Sequence, residues 1–427
     1  MRKPDIEGIR EFSLSSDRDS ARFFVGREEV LDNINYAWQF RMKKWTGGET
    51  MSFRSATRVV QGAPGAGKTS VGTHLSEKLW KPRGKGKKFP HVVVLSTGML
   101  NNPLAVFMNI CEKINPDALN KLRTNFTIQH TAGGGIDKII KAGYERQAIR
   151  QERDMLPVEW TDLRTALGNY QWDRPVCLLI DEAQTLEPGG FKLLKDIHEG
   201  AHELPIFPLL MGLGNTETRL QEGNALTRPE SGSVHTLPPL SEEQVRELCT
   251  CYFDTYRTNG SRKYREETIK KLYSWSDGWP SHMHNALKGL SMELLKSNGD
   301  LEEVNIDNGL NQARIYRQNY YANRVGDTFR TSQRFLGHFM TNIPSNRSLL
   351  GDDVHLIIHK AKEKAVRQGD QHIGQHSTDH LFARLLHQGF IQPDENKNYV
   401  CPIPSLRTWC LKQAGLTNTQ ETEDNIF

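Results

Sequence analysis

The chain lacks several features that would narrow its class at once. No apolar run reaches the eighteen or so residues of a membrane span, so no membrane partner is expected. Met1-Arg2-Lys3-Pro4-Asp5 starts basic but has no apolar stretch behind it, so no secretory leader is expected. The six cysteines, Cys111, Cys177, Cys249, Cys251, Cys401 and Cys410, form no C-x-x-C and no paired metal-ligand spacing. That argues against a disulfide scaffold and for a reduced, cytoplasmic protein. A strong charge of either sign is also missing: the net charge is +4 over 427 residues. Such a balance neither demands nor excludes a nucleic-acid partner, and any basic face has to be local. With 37% hydrophobic and 25% charged residues the composition is globular. The length calls for two or three domains.

What the chain does have begins at Thr57. Arg58-Val59-Val60-Gln61 is a strand-like run. Gly62-Ala63-Pro64-Gly65-Ala66-Gly67-Lys68-Thr69 follows and fits G-x-x-x-x-G-K-[ST], and a helix-like run spans Ser70 to Leu79. Glycines let the backbone turn tightly and aim its N–H groups at a phosphate. The helix N-terminus adds partial positive charge. Lys68 suits the β/γ-phosphates and the Thr69 hydroxyl suits Mg²⁺. A chance Gly-rich turn is the alternative, and the flanking strand and helix weigh against it. The expected ligand is a nucleoside triphosphate, with Gly62 to Ser70 as its phosphate contacts.

A second stretch supplies acids. Val176-Cys177-Leu178-Leu179-Ile180 is an apolar strand that closes on Asp181-Glu182-Ala183-Gln184. Asp181 at a strand end suits the Mg²⁺ shell, and Glu182 suits the activation of an attacking water. Two carboxylates beside a polyphosphate repel it unless a cation lies between them, so Mg²⁺ is implied. An acidic helix cap is the alternative. A third apolar run, Ile206 to Gly212, ends in Leu213-Gly214-Asn215-Thr216.

Phe23-Phe24-Val25-Gly26-Arg27-Glu28-Glu29-Val30-Leu31, upstream of the loop, resembles the corresponding segment of AAA+ ATPases of the origin-initiator and STAND type. The resemblance covers about Phe23 to Lys296. It implies that Val25, Gly26 and Arg27 lie beside adenine and ribose. Asn215, with Thr216 second, then stands between the γ-phosphate and the acid pair, although a plain polar turn fits the spacing equally well. Arg228 takes the place of an arginine finger reaching a neighbouring subunit, with Arg219 as runner-up. "HTLPPLSEE" (His235 to Glu243) becomes the last core strand and the cap of a helical lid. The lid's usual arginine position holds Ser281 and His282: either His282 makes a weaker nucleotide contact there or the lid makes none to the γ-phosphate, which implies slow hydrolysis. The preference for ATP over GTP also comes from the resemblance.

The last hundred residues read as helices Ser332 to Thr341, Asp352 to Val366 and Thr378 to His387. A hairpin around Pro393 to Asn398 and a closing helix from Ser405 follow, an order that resembles a winged helix. His376, His380, Arg384 and His387 would lie on or beside its recognition helix, and Lys397 at the wing tip. His372, His376 and His380 are spaced four apart, but no carboxylate or Cys completes a metal set. Two basic stretches, Lys43-Lys44-Trp45 and Lys81 to Lys88, suit either phosphate contacts or solvated loops.

The expected fold is α/β: a P-loop parallel sheet with an AAA+ helical lid and a C-terminal winged helix. The expected divisions are a lead-in (1–22), a nucleotide-binding core (23–240), a lid (241–300), a linker helix (301–330), a winged-helix-like unit (331–414) and a disordered tail (415–427). The expected function is an ATP-driven, homo-oligomerising switch acting on double-stranded DNA. The alternative is a STAND-like signalling ATPase whose winged helix docks a partner effector protein.

Overall fold

A computed structural model describes residues 3–14, 23–46, 57–80, 89–114, 174–200, 206–225, 232–344, 347–394 and 396–416. Five strands form one sheet in the order β2-β3-β4-β1-β5: β1 (Arg58–Gln61), β2 (His91–Leu95), β3 (Val176–Ile180), β4 (Ile206–Gly212) and β5 (Val234–Thr236). Every pairing is parallel. Parallel strands are covered on both faces, which is why β3 and β4 read as unbroken apolar runs and are buried throughout.

Strand side chains alternate between faces. Val176, Leu178 and Ile180 join Ile206, Leu210, Phe107 and Ile110 in one layer. Cys177 and Leu179 join Phe207, Leu209, Met211 and Trp80 in the other. That second layer continues into Phe329, Phe335, Phe339, Leu385 and Phe390 of the C-terminal region. The C-terminal helices and the sheet therefore share one apolar core.

The helices, in chain order, begin with α1 (Ile6–Leu14), α2 (Glu28–Thr46) and α3 (Lys68–His74), the last running into a π-helical turn at Leu75–Leu79. Then come α4 (Pro103–Ile114), α5 (Pro188–Gly200) and α6 (Thr216–Glu222). Three lid-position helices follow, α7 (Glu242–Thr255), α8 (Arg262–Ser276) and α9 (Pro280–Lys296). Ser241 opens α7 with a capping box: its hydroxyl accepts from the Gln244 N–H at 3.2 Å, and the Gln244 side chain accepts from the Ser241 N–H at 2.9 Å. The long helix α10 (Ile306–Arg330) is interrupted at Gly326, where φ is 56° and ψ −177°.

The chain ends in α11 (Gln333–Asn342), α12 (Gly351–Arg367), α13 (Thr378–His387), an antiparallel pair β6 (Gln392–Pro393) and β7 (Tyr399–Val400), and α14 (Pro404–Gln413). The hairpin is shorter than its sequence pattern predicts, and Tyr399 also bridges Leu349. His376 and His380 stack with ring centroids 4.8 Å apart, and His372 meets His376 edge-on.

Within the lead-in, residues 6–14 form a helix that packs on the lid: Ile9 and Phe12 are buried among Tyr252, Tyr256 and Leu287 of the lid helices. Ile6, Ile9 and Phe12 recur three apart, but nine residues are a short window for a periodicity signal. Among the described residues no helix is long and apolar enough to cross a membrane.

Candidate nucleotide site

The phosphate-type loop connects β1 to α3 at the carboxyl end of the sheet. Gly65 (φ 77°) and Gly67 (φ 95°) occupy the left-handed region, where a side chain is strained. A Cβ on Gly65 would also stand 2.5 Å from the Ser281 hydroxyl, so the lid approaches the loop because this residue is glycine. The Ser281 N–H donates to the Gly65 carbonyl at 3.2 Å.

Lys68 opens α3 and is buried, its ammonium donating to the Gly62 carbonyl at 3.0 Å and the Ala63 carbonyl at 3.3 Å. Burial pulls its pKa down to about 8, and the negative charges of Glu182 and Asp181 oppose that shift. The Thr69 hydroxyl donates to Asp181 Oδ2 at 2.9 Å across 112 residues of sequence. Asp181 also accepts from the Glu182 N–H at 2.9 Å. Glu182 itself takes a left-handed conformation (φ 54°), an uncommon one for this residue type.

Gln184, unassigned by the sequence, ties the acidic turn to the end of β4. Its amide donates to the Glu182 carboxylate, and its carbonyl accepts from the Leu213 N–H at 3.0 Å. Asn215 follows directly at the start of α6, its Oδ1 buried without a hydrogen-bond partner. Thr216 is turned inward, its hydroxyl donating to the Leu213 carbonyl at 2.6 Å.

The loop, with Lys68, Thr69 and Glu182, borders a cleft of ≈ 880 Å³. Pro64 to Ser70 and Glu182 line one end, while Phe12, Phe23, Phe24, Val25 and Leu248 line an apolar end. Arg27 lies between them, buried, donating to the Pro238 carbonyl at 2.7 Å and the Ala66 carbonyl at 3.4 Å. Its pKa is lowered by burial to about 10. Gly26 (φ 69°) packs against Gln244, whose amide reaches the Gly26 carbonyl at 3.4 Å. The lining is thus polar and cationic at one end and aromatic at the other, which suits a nucleotide.

A third wall comes from residues far along the chain. Tyr320, Asn323 and Arg324 of α10, with Arg384, His387 and Gln388 of α13 and its end, line the same cleft. The Tyr320 hydroxyl donates to the Pro64 carbonyl, and Arg324 reaches that carbonyl at 2.6 Å. The hairpin residue Gln392 accepts from the Ala63 N–H at 3.0 Å and donates to the Leu237 carbonyl at 3.4 Å. Arg384 and His387, read from sequence as part of a recognition helix, therefore face the loop. Lys397, read as a wing tip, pairs with Glu217 at 2.8 Å.

His282 is placed differently from the lid-contact expectation. It is fully buried, meeting Tyr320, Tyr321 and Trp275 edge-on, and burial holds its pKa well below the usual histidine range. Neighbours on a helix point about 100° apart, so Ser281 borders the cleft and His282 does not. Arg228 lies outside the described residues, as do Lys81 to Lys88 and the whole of 115–173. Arg219 is exposed on α6.

No protein-family model matches the chain, and no curated protein does. Solved structures do. A Walker-type ATPase of Pyrococcus abyssi is similar at 15% identity and TM-score 0.51, over 91% of this chain and 96% of that one. The ORC2 protein of Aeropyrum pernix, solved as ADPNP–ADP complexes, is similar at 12% identity and TM-score 0.51, over 90% of this chain and 94% of that one. At such identity the likeness concerns architecture: the chain has the AAA+ P-loop ATPase fold.

Proposed function

We propose that the chain is a regulatory ATPase, a switch that binds and slowly hydrolyses ATP. The observation that carries this is the 2.9 Å contact between Thr69 and Asp181 beside the buried Lys68. A hydroxyl and a carboxylate held together at a phosphate-type loop are hard oxygen donors of the kind Mg²⁺ takes, so Thr69 and Asp181 fit that cation. When bound with ATP, Mg²⁺ supplies neutralising charge to the polyphosphate. Lys68 and the N–H groups of Gly65 to Ser70 hold the phosphates. Glu182 orients and deprotonates the attacking water. Asn215, beside the Gln184 bridge, senses the terminal phosphate. Val25, Gly26, Phe12 and Phe24 shape the base end, and Arg27 keeps that segment fixed to the loop. Arg228 serves a neighbouring copy.

The test is ATP binding and turnover with purified chain. Lys68→Ala is expected to abolish ATP binding. Glu182→Gln is expected to keep ATP bound and to slow its hydrolysis; turnover at the parent rate would sink the assignment of the base. Size measured with ATP, with ADP and without nucleotide tests assembly.

For the output, the first reading is a DNA transaction through a C-terminal winged helix (331–414). A second reading, docking of a partner effector protein, is favoured by a specific observation: Arg384 and His387 are exposed but line the nucleotide cleft, and Lys397 pairs with Glu217. Duplex-DNA binding that is absent, or insensitive to salt, would leave only the second.

A further inference from the structure

The lid supplies no cation at its usual place, yet the cleft holds one elsewhere. Arg324 projects from α10, outside the lid, and lines the cleft beside Pro64 and Gly65. It is buried, with 5% of its surface exposed. Its guanidinium donates to the Pro64 carbonyl at 2.6 Å and the Gly389 carbonyl at 3.0 Å, and to the Tyr320 hydroxyl. It lies 4.5 Å from the Tyr320 ring centroid. All these partners are neutral. Among the described residues no carboxylate pairs with it. The ionisable groups that would favour its charge, Tyr320, Tyr321, Cys401 and Cys410, are themselves neutral at neutral pH, and Lys68 close by is a second cation.

A buried charge without a counter-ion costs several kcal/mol. Filling the volume and capping two carbonyls does not require that charge. An anion arriving in the cleft can use it, because Arg324 lines the same cleft as Lys68, Thr69 and Glu182 and its charge is near enough to act on Lys68. Ser281 and His282 offer nothing equivalent: one is a hydroxyl, and the other is a neutral ring packed among aromatics.

We propose that Arg324 is a phosphate-binding residue of the nucleotide site, supplying in cis the positive charge that the lid does not. This inference rests on the ATP reading of the cleft. It also links the nucleotide to the C-terminal region, because the same guanidinium holds the Gly389 carbonyl between α13 and β6.

The test compares dissociation constants of the full-length chain for AMP, ADP and ATP with Mg²⁺. In Arg324→Gln, ATP affinity is expected to fall about tenfold or more and AMP affinity by about twofold or less, since charge-assisted contacts scale with phosphate charge. An equal loss for AMP and ATP, or no loss for ATP, overturns the inference and leaves Arg324 a packing clamp. Melting without nucleotide reports the clamp separately. Should Arg324→Gln fail to fold, Arg324→Lys decides: retained charge is expected to keep the ATP-to-AMP affinity ratio within about threefold of the parent. A collapse of that ratio overturns the inference. Failure of the parent chain to bind ATP, or binding by Lys68→Ala as tight as the parent's, would instead overturn the site reading beneath it.

Discussion

The two walls of the cleft are built in different ways. The inner wall, Gly62 to Ser70 with Asp181 and Glu182, is two short contiguous stretches at the ends of β1 and β3, core strands on either side of β4. Each obeys local rules: glycine where φ is positive, a lysine at a helix start, acids after an apolar strand. The outer wall, Tyr320, Arg324, Gly389 and Gln392, is assembled from single residues on a helix, a turn and a hairpin. Its contacts to the loop span 256 residues for Tyr320, 260 for Arg324 and 329 for Gln392. On the proposed reading the inner wall carries the chemistry, and the outer wall, which lines the same cleft from α10, α13 and its end, ties a bound nucleotide to the C-terminal region.

The largest expected effect lies on the inner wall. Glu182→Gln removes the group proposed to take a proton from water, and general-base catalysis contributes about 10²- to 10⁴-fold. Turnover should drop by that factor while the ATP dissociation constant stays within about threefold. If the outer wall instead set the rate, this variant would turn over near the parent rate, and the division of labour would be wrong.

An outer-wall change should act through geometry. Gly389 has φ 72°, and a Cβ there would lie 2.7 Å from both Ala63 Cβ and Pro64 Cδ. Neither neighbour is a flexible side-chain end. Gly389→Ala should therefore push the hairpin off the loop at a cost of about 1–3 kcal/mol, seen as a lower melting temperature. ATP affinity should fall with it if the two walls are coupled. A melting loss with unchanged ATP affinity would break the coupling and leave the outer wall a mere packing surface.

This contrast also explains what could be read from the residues alone. The order strand, loop, helix and the strand closing on Asp181 were legible because each lies within about ten contiguous residues and matches one physical rule. The lid helices and α13 were legible from apolar periodicity and caps such as Ser241–Gln244. Arg324 and Gln392 were not, because nothing near either residue marks it as a loop contact; each acquires its role only when the chain returns to Pro64 or Ala63. The choice between a His282 contact and no lid contact was not legible for the same reason: which way a helix turns at Pro280 is set by packing against Tyr320 and Tyr321. Phe12 was missed because the Ile6, Ile9, Phe12 spacing spans only nine residues of an otherwise polar stretch, and its partners Tyr252 and Tyr256 lie far along the chain.

Acid–base behaviour gives a third, graded test on the inner wall. Lys68 titrates near a pKa of about 8, lowered by burial. Without ligand, deprotonation is favoured by folding, so the empty chain should gain stability as pH rises from about 8 towards the unfolded lysine value near 10.4. ATP needs the protonated form. Its affinity should therefore weaken by up to about tenfold per pH unit above 8, with proton uptake on binding seen by calorimetry in buffers of different ionisation enthalpy. Affinity flat between pH 7 and 9.5 would mean that Lys68 either keeps its proton throughout that range or does not meet the phosphates.

The smallest expected effect decides what the outer wall leaves free for other partners. Lys397 is 72% exposed on its side chain and pairs with Glu217, which is 14% exposed. An ion pair of that kind contributes about 0.2–1 kcal/mol, so Lys397→Ala should barely change melting. Its value is diagnostic. If the hairpin docks on duplex DNA only after leaving Glu217, then Glu217→Gln should strengthen DNA binding while Lys397→Ala weakens it, with the salt slope falling by about one. If the hairpin's business is with the core alone, both variants should leave DNA binding unchanged. The two outcomes assign the outer wall either to a competition between the core and DNA for one lysine, or to a permanent clamp on the nucleotide site whose output is read by another protein.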